Sequence, residues 1–341
     1  MKKLWLPAAM ASILLTTACG GGSNAAEEGD SIRLMSASFS VGHGLTLLAV
    51  DGGFFDRNGL EVELINGGGA ANALAAVVSG SVDVYTGEPS AVYAASNQKE
   101  MLMPIRSYSG SAISLTLAKS VADKAGLTVD SPIEDRLRIL DGLTIATVAA
   151  GGSTITLNRA AESVGATVEN TYLEQASYVA ALQSGKIDGF VGSPPFGQIA
   201  EAEGIGIDWI RGPLGEWPGN PDDYMQVGVG FTAELGRDKP DLAVKIIRGY
   251  LDAAEFIRTK PKEAKEILAP RFSELDPEIW DRVWTAATNA EVFSDPIPTL
   301  DALQFTYDAY VGSLDAATSP PKVDLQRMMA TDLVERAQSL S

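Results

Sequence analysis

The chain has 341 residues, of which 45% are hydrophobic and 21% charged, a globular composition long enough for two domains of ordinary size. Its 44 acidic residues against 26 basic ones leave a formal charge of -18, a surface that repels phosphate backbones and argues against nucleic acid as a partner. A single cysteine and a single histidine exclude an internal disulfide and any cysteine-based metal site, and no cofactor or metal is expected.

Lys2 and Lys3 precede a mostly apolar run at 4–15, and Thr16-Thr17-Ala18-Cys19 closes it with small residues. The pattern reads as an export signal at 1–19, too short to be kept as a spanning helix. The stretch resembles the lipobox of bacterial lipoproteins, which implies that Cys19 is lipidated after cleavage; Thr16 takes the place usually held by an aliphatic residue, with Leu15 one step earlier. Residues 20–30 are Gly, Ser, Asn, Ala and acid without apolar periodicity, a flexible tether. No later stretch is apolar for long enough to cross a bilayer. The expectation is an extracytoplasmic body anchored to a bacterial membrane through Cys19, on the periplasmic side where there are two membranes.

The body then begins. A strand at 32–37 and a loop containing Phe39, Ser40 and His43 lead into an apolar helix from Gly44, a turn at Asn58-Gly59 and a strand at 60–65. Gly67-Gly68-Gly69 precedes a helix at 70–79 and a strand at 82–85, and Gly87-Glu88-Pro89 opens another helix to 97, with Pro at its favoured first turn. Strands follow at 101–106 and 112–119, and Ser131-Pro132-Ile133-Glu134 has the spacing of a capping box.

After it the same order restarts: strand 143–148, loop Ala149-Ala150-Gly151-Gly152-Ser153, helix 154–164, strand 168–173, helix 177–184 and strand 187–191. A short strand ends at Trp209 and Ile210, a Pro- and Gly-rich loop covers 212–223, and a strand covers 225–232. From 238 the pattern is helical, at 238–259, 262–269, 276–290, 299–317 and 324–339. These helices show no chemical constellation, and Trp280 and Trp284, four apart, read as core contacts.

An internal repeat supports the restart. Ala75 to Asp83 can be laid over Ala180 to Asp188, and Gly87-Glu88-Pro89 over Gly192-Ser193-Pro194. Two copies imply two α/β lobes facing one another rather than a solenoid. The boundaries expected are lobe 1 at 31–115, lobe 2 at 116–228, and a return to lobe 1 with C-terminal helices at 229–341. Asp83 and Asp188 read as turn and helix-positioning residues rather than as acid and base.

Gly-Gly-Phe-Phe at 52–55, Asn-Gly-Leu-Glu-Val-Glu-Leu at 58–64, the triple glycine, and Val-Ser-Gly-Ser-Val-Asp-Val at 78–84 together carry a family resemblance. The chain resembles the extracytoplasmic solute-binding proteins of ATP-binding-cassette importers for sulfonates, taurine and nitrate, a family that also includes binders of a thiamine pyrimidine precursor. The likeness runs from about 32 to 271 and includes Gly142-Leu143-Thr144-Ile145 and Ala181 to Asp188. It implies a two-lobed periplasmic-binding-protein-like α/β fold of type II, each lobe a mostly parallel sheet flanked by helices, with hinge crossings near 112–119 and 226–233.

Ligands of open parallel sheets sit beyond the carboxyl ends of the strands. Gly68, Gly69 and Ala70 on one side, and Gly152, Ser153 and Thr154 on the other, place backbone amides at helix starts, where a negative or polar group is favoured; the alternative is that the glycines only turn the chain. No phosphate-loop Gly-Lys-Ser/Thr follows, and Asn72 stands where a dinucleotide fingerprint needs glycine. His43 is either a satisfied structural group or a neutral hydrogen-bonding partner of a solute, next to Phe39 and Ser40.

Glu88, where the family usually has a small neutral residue after Gly87, is either a helix cap or the receiver of a solute amine, amidine or hydroxyl. Arg106 and Tyr108 reach the same cleft in one reading, and in another Arg106 neutralises Glu88. Ser193 and Phe196 hold the matching place in lobe 2, with Phe196 available to stack on a flat solute, and Glu174 ends a neighbouring strand. Trp217 and Tyr224 are lid candidates.

The leading expectation is a lipid-anchored monomeric receptor that binds a small polar or aromatic solute between its lobes and passes it to the permease of an importer, without catalysis. The rival is an enzyme, since the resemblance extends to a thiamine-pyrimidine synthase that consumes its own histidine. Cys19 is spent at the terminus and His43 stands alone, so only a carboxylate route through Glu88 and Glu174 is left to that reading.

Overall fold

A computed structural model describes residues 30–340 apart from 110, 112, 149–151, 220–224, 290, 294 and 315–316. The export signal, Cys19, most of the tether, Gly151 and Tyr224 lie outside the described residues.

The first lobe is built from β1 (Asp30–Ser36), α1 (Gly44–Asp51), α2 (Phe54–Arg57), β2 (Leu60–Asn66), α3 (Ala70–Val78), β3 (Val84–Gly87), α4 (Pro89–Ala95) and β4 (Met101–Ser109). In β1, Ile32 and Leu34 are buried while Ser31 and Arg33 face out, the period-two pattern of a strand with one face on a core. The chain then crosses to the second lobe: β5 (Ser114–Ala118), α5 (Lys119–Ala125), α6 (Ile133–Arg138), β6 (Thr144–Thr147), α7 (Gly152–Glu162), β7 (Glu169–Tyr172), α8 (Tyr178–Gln183), β8 (Gly189–Gly192), α9 (Phe196–Ala202) and β9 (Gly206–Ile210).

It returns as β10 (Met225–Thr232), followed by α10 (Ala233–Asp238), α11 (Pro240–Thr259), α12 (Pro261–Leu268), α13 (Pro277–Asn289), α14 (Leu300–Gly312), α15 (Leu325–Met328) and α16 (Thr331–Gln338). The helix expected at 238–259 begins anew at Pro240, and the one expected at 324–339 is broken at Ala330, whose φ of 48° no helix accepts. The expected capping box does not form: the Ser131 hydroxyl accepts from the Thr128 amide and Pro132 precedes the helix.

The two sheets have one topology. The first runs β2-β1-β3-β10-β4 and the second β7-β6-β8-β5-β9. In each, the fourth strand is antiparallel to both neighbours, and it is the strand that has just arrived from the other lobe, β10 or β5. The swap of one strand each way joins the lobes by two crossings at one end of both sheets. β5 starts at Ser114 and β10 at Met225, and Arg211 and Trp217 still pack on lobe 2, so one crossing precedes Ser114 and the other lies between Trp217 and Met225, not at 226–233; residues 225–228, expected in lobe 2, belong to the lobe 1 sheet.

Both faces of each sheet are covered. On the first, Leu34, Val84, Ile105, Val229 and Phe231 pack against α1, α2 and α11, and the opposite face carries Tyr85, Met103 and Met225 under α3, α4 and α14. Gly228 is required in β10 because a Cβ there would lie 2.3 Å from Met225 Cε and 2.5 Å from Met103 Sδ. α11 buries Ile246, Ile247, Tyr250, Ala253, Ala254 and Ile257, a helical stripe about 17 Å long at 1.5 Å per residue. Trp280 and Trp284 are core residues as expected, stacked on Phe272 and Phe293. Trp217 is buried too, its indole N–H donating to the Ile113 carbonyl, so it is a core residue of lobe 2 and not a lid.

Candidate functional site

The carboxyl ends of β1, β3, β6 and β8, with the amino ends of β10 and β5, all face the gap between the lobes, because the parallel strands point there and the two returning strands begin there. The lobes touch in this structure. A Cβ at Gly42 would lie 3.5 Å from Ser193 Oγ, and the Arg159 guanidinium of α7 lies 4.7 Å from the Phe305 ring of α14. What is left between them is a cavity of about 10 Å³, room for about one water. Glu88 and Ser90 line it from lobe 1, Gly152 and Ile155 from lobe 2, Gln226 from β10 and Thr306 from α14.

Glu88 follows β3, where Tyr85 folds back to donate its hydroxyl to the Glu88 carbonyl at 2.9 Å. This fold-back needs Gly87, since a Cβ there would come 2.4 Å from the Tyr85 hydroxyl. Burial between the lobes raises the Glu88 carboxyl to about 7. The Glu88 side chain makes no cap bond to α4, so the capping role is not formed. Across the gap Tyr178, at the start of α8, is held by Phe190 at 5.0 Å and Phe196 at 6.3 Å. Burial raises its phenol, and the charges of Glu88 and Glu174 add to this.

Among the described residues, the Gln226 side-chain oxygen in the lining has no hydrogen-bond partner, nor do two buried lobe 2 atoms, the Tyr178 hydroxyl at the start of α8 and Ser153 Oγ at the start of α7. Buried polar groups are ordinarily paired, and leaving one unpaired costs roughly 1–3 kcal/mol. Unpaired groups on both facing lobes are the mark of a place made for something else to bind.

The other expected site residues divide. Ser193 is at the gap, its amide donating to Gln175 Oε1 at 3.0 Å, and Phe196 is half-buried against Tyr178. His43 is buried; burial lowers its imidazole to about 4, so the ring is neutral. Its Nδ1 lies 3.1 Å from the Ser38 hydroxyl and 3.3 Å from that of Ser40, and its Nε2 is unpartnered. Phe39 lies under the Arg271 guanidinium at 5.1 Å, and Arg271 is itself paired with Asp51. Glu174 is exposed on the rim before α8.

Several expected contacts are spent elsewhere. Gly69 donates its amide to the Ala37 carbonyl and Gly68 to Asn66 Oδ1, so neither N–H is offered to a ligand, and Ala70 starts α3 packed against the lobe 1 core. Positive φ at Gly68 (63°) and Gly69 (137°) shows the turning role that glycine alone fills easily. Thr154 Oγ1 donates to the Val148 carbonyl at 2.9 Å and tightens its own loop. Arg106 does not neutralise Glu88: it donates to the Asp295 carbonyl and pairs with the Asp295 carboxylate at 3.3 Å. Tyr108 is buried edge-on against Phe293.

Gln226, Tyr178 and Thr306 escaped the sequence reading. Gln226 was the visible one, a lone amide in the apolar run Met-Gln-Val-Gly-Val-Gly-Phe, where a strand interior has no other use for it. Thr306 comes from a helix without a sequence motif, and Tyr178 from a turn beyond the end of β7.

No curated protein matches the chain in sequence. Solved structures with this fold include the periplasmic nitrate-binding protein NrtA of Synechocystis PCC 6803, at 13% identity and TM-score 0.68 over 92% of this chain and 89% of that one. They also include the periplasmic aliphatic sulphonate binding protein SsuA of Escherichia coli, at 14% identity and TM-score 0.66 over 90% and 99%. The desulfurization enzyme DSZB shares the fold as well, at 15% identity and TM-score 0.61 over 91% and 99%. The sequence model of the NMT1-like family matches residues 39–271, within the span of the expected resemblance and more than half of the chain, and the chain belongs to that family.

Proposed function

We propose that this chain is a solute receptor: its lobes close on a small polar or aromatic molecule, which it delivers as a monomer to the permease of an ATP-binding-cassette importer, while a lipid on Cys19 keeps it at the outer face of the cytoplasmic membrane or in the periplasm. The observation that carries this reading is that, among the described residues, Gln226 in the cavity lining and Ser153 and Tyr178 at the starts of α7 and α8 on the facing lobe hold buried polar atoms without partners. The fold shared with periplasmic nitrate- and sulphonate-binding proteins supports it. Among the described residues no helix is long and apolar enough to cross a membrane, in keeping with a body held only by its end. The gap has room for about one water, so a solute enters only when the lobes part about their two crossings.

Incubation of the processed protein with a solute panel is expected to raise its melting temperature with at least one compound. A flat response to every compound, with nothing bound to the purified protein, counts against the receptor. Cys19→Ala is expected to move the protein from the membrane fraction to the soluble one; unchanged fractionation removes the anchor from the proposal.

The likeness to DSZB favours one second reading, an enzyme. Against it stand the position of the sole cysteine at 19 and the neutral, buried state of the sole histidine. Glu174, the partner a carboxylate mechanism needs, is exposed on the rim. Conversion of a bound compound that stops in Glu88→Gln would establish the enzyme in place of the receptor.

A further inference from the structure

Among the described residues, the cavity between the lobes is lined by a single charged side chain, Glu88. No cationic side chain of the described residues lines it. Arg106 is held by the carbonyl and carboxylate of Asp295, Arg159 lies over the Phe305 ring, and His43 is neutral. A nitrate or sulfonate entering this cavity would meet a carboxylate and no cationic side chain in its lining. Anions need paired cations or amides when desolvated; of the amides expected to serve, those of Gly68 and Gly69 bond inside lobe 1, and the start of α7 at Gly152, which lines the cavity, offers backbone dipoles without a cationic side chain.

The same gap suits the opposite charge. Gln226 shares the cavity lining with Glu88 and has an unpartnered side-chain oxygen, the Tyr178 phenol lies near enough to feel the Glu88 charge, and Ser153 follows the lining residue Gly152; all can accept from N–H donors. We propose that the solute carries a protonated nitrogen, an amine or an amidinium, seated on the Glu88 carboxylate with Gln226 as its second acceptor. This rests on the receptor reading above and narrows its solute class. Glu88 is then the specificity-determining residue, and its cost in the unliganded protein is recovered when the cation arrives: a charge buried alone becomes a charge buried in a pair.

The pH dependence has a definite sign. Glu88 is faced by Tyr85 of its own strand and by Tyr178 of α8, with Glu174 behind the latter, while β10, α7 and α14 present no titratable side chain to the cavity. A cation needs the ionised carboxylate, so protons compete with it below about pH 7, and affinity falls roughly tenfold per pH unit there.

The test is a melting-temperature and calorimetric titration of the full processed chain at pH 8 and pH 6. The probes are a set of small primary amines and amidines, including benzylamine and benzamidine, with nitrate, methanesulfonate and benzoate as anions. A stabilising amine or amidine at pH 8, bound at least about tenfold more weakly at pH 6 and in a folded Glu88→Gln variant, is the expected result. Stabilisation by the anions alone, or anion binding that strengthens as pH falls, overturns the inference and leaves the receptor standing. No stabilisation by any probe overturns the inference and also counts against the receptor.

Discussion

Asp188 Oδ2 accepts the backbone N–H of Thr144 at 2.9 Å, while the Asp188 amide donates to the Thr144 carbonyl at 2.8 Å. In lobe 1, Asp83 and Arg33 make the same reciprocal pair at 2.8 and 2.9 Å. Each aspartate thus pins the start of one parallel strand to its neighbour and fixes the register of a sheet whose far end forms the gap. Hydrogen bonds to charged groups contribute roughly 1.5–3 kcal/mol. Asp188→Ala is expected to lower stability in urea by about 2 kcal/mol, and Asp83→Ala by less, since its bond is more exposed. Equal, negligible losses would show that the pairs do not hold the register.

Glu88 makes the unliganded protein pH-sensitive. Its folded carboxyl titrates at about 7 against an ordinary 4.5, so between those values the folded state keeps a proton that the unfolded state has released. Stability is therefore full below the lower value and falls as pH rises through the upper one, by at most about 3 kcal/mol. Glu88→Gln is expected to melt a few degrees above the parent at pH 8 and level with it at pH 4, by calorimetry without solute. A variant less stable at pH 8 would mean that Glu88 is paired in the unliganded state.

Glu216 bears on lobe 2 alone. Burial by itself would raise its carboxyl, but hydrogen bonds from Arg211 at 2.5 Å and from Arg136 at 3.0 Å outweigh that and bring it to about 2. Arg136 is 4% exposed and also donates to the Trp209 carbonyl, whose indole N–H returns a bond to the Arg136 carbonyl. Glu216→Gln leaves that guanidinium buried without its counter-charge, a loss of about 3–5 kcal/mol. In the parent this contribution is present above the usual carboxylate range and is lost as pH falls through about 2. Denaturant unfolding of the variant at pH 7 checks it; a change under 1 kcal/mol would contradict the pairing.

Gly42 controls how far the lobes close. Ala would fit there at ordinary contact distance from Ser193, but a Leu side chain has no room. Gly42→Leu is expected to weaken solute binding at least about tenfold and to enlarge the radius of gyration of the liganded protein in solution scattering, while Gly42→Ala changes neither. Unaltered binding in Gly42→Leu would show that closure at this point is not needed.

The α/β order and the duplication were legible because both rest on local signals: apolar period, glycine turns, and an aspartate repeated at one place in each copy. Glu88 stood out as a charge after a buried strand, and the structure puts it in the gap. The roles of Gly68, Gly69, Arg106 and Thr154 were not legible, because a donor's partner depends on tertiary packing that no spacing encodes. Asp295, which claims Arg106, lies 189 residues further along the chain. Thr306 was hidden for the same reason, on a helix whose place over the gap follows from the returning strand β10.

The central claim is that the gap holds a solute and does not transform it. Mass spectrometry of the small molecules released from the purified, unheated protein, repeated after prolonged incubation, tests it most directly. One molecule per chain, recovered unchanged and bearing a basic nitrogen, is the predicted result. Recovery of a chemically altered product, or a protein that retains nothing and binds nothing from cell extract, would contradict it.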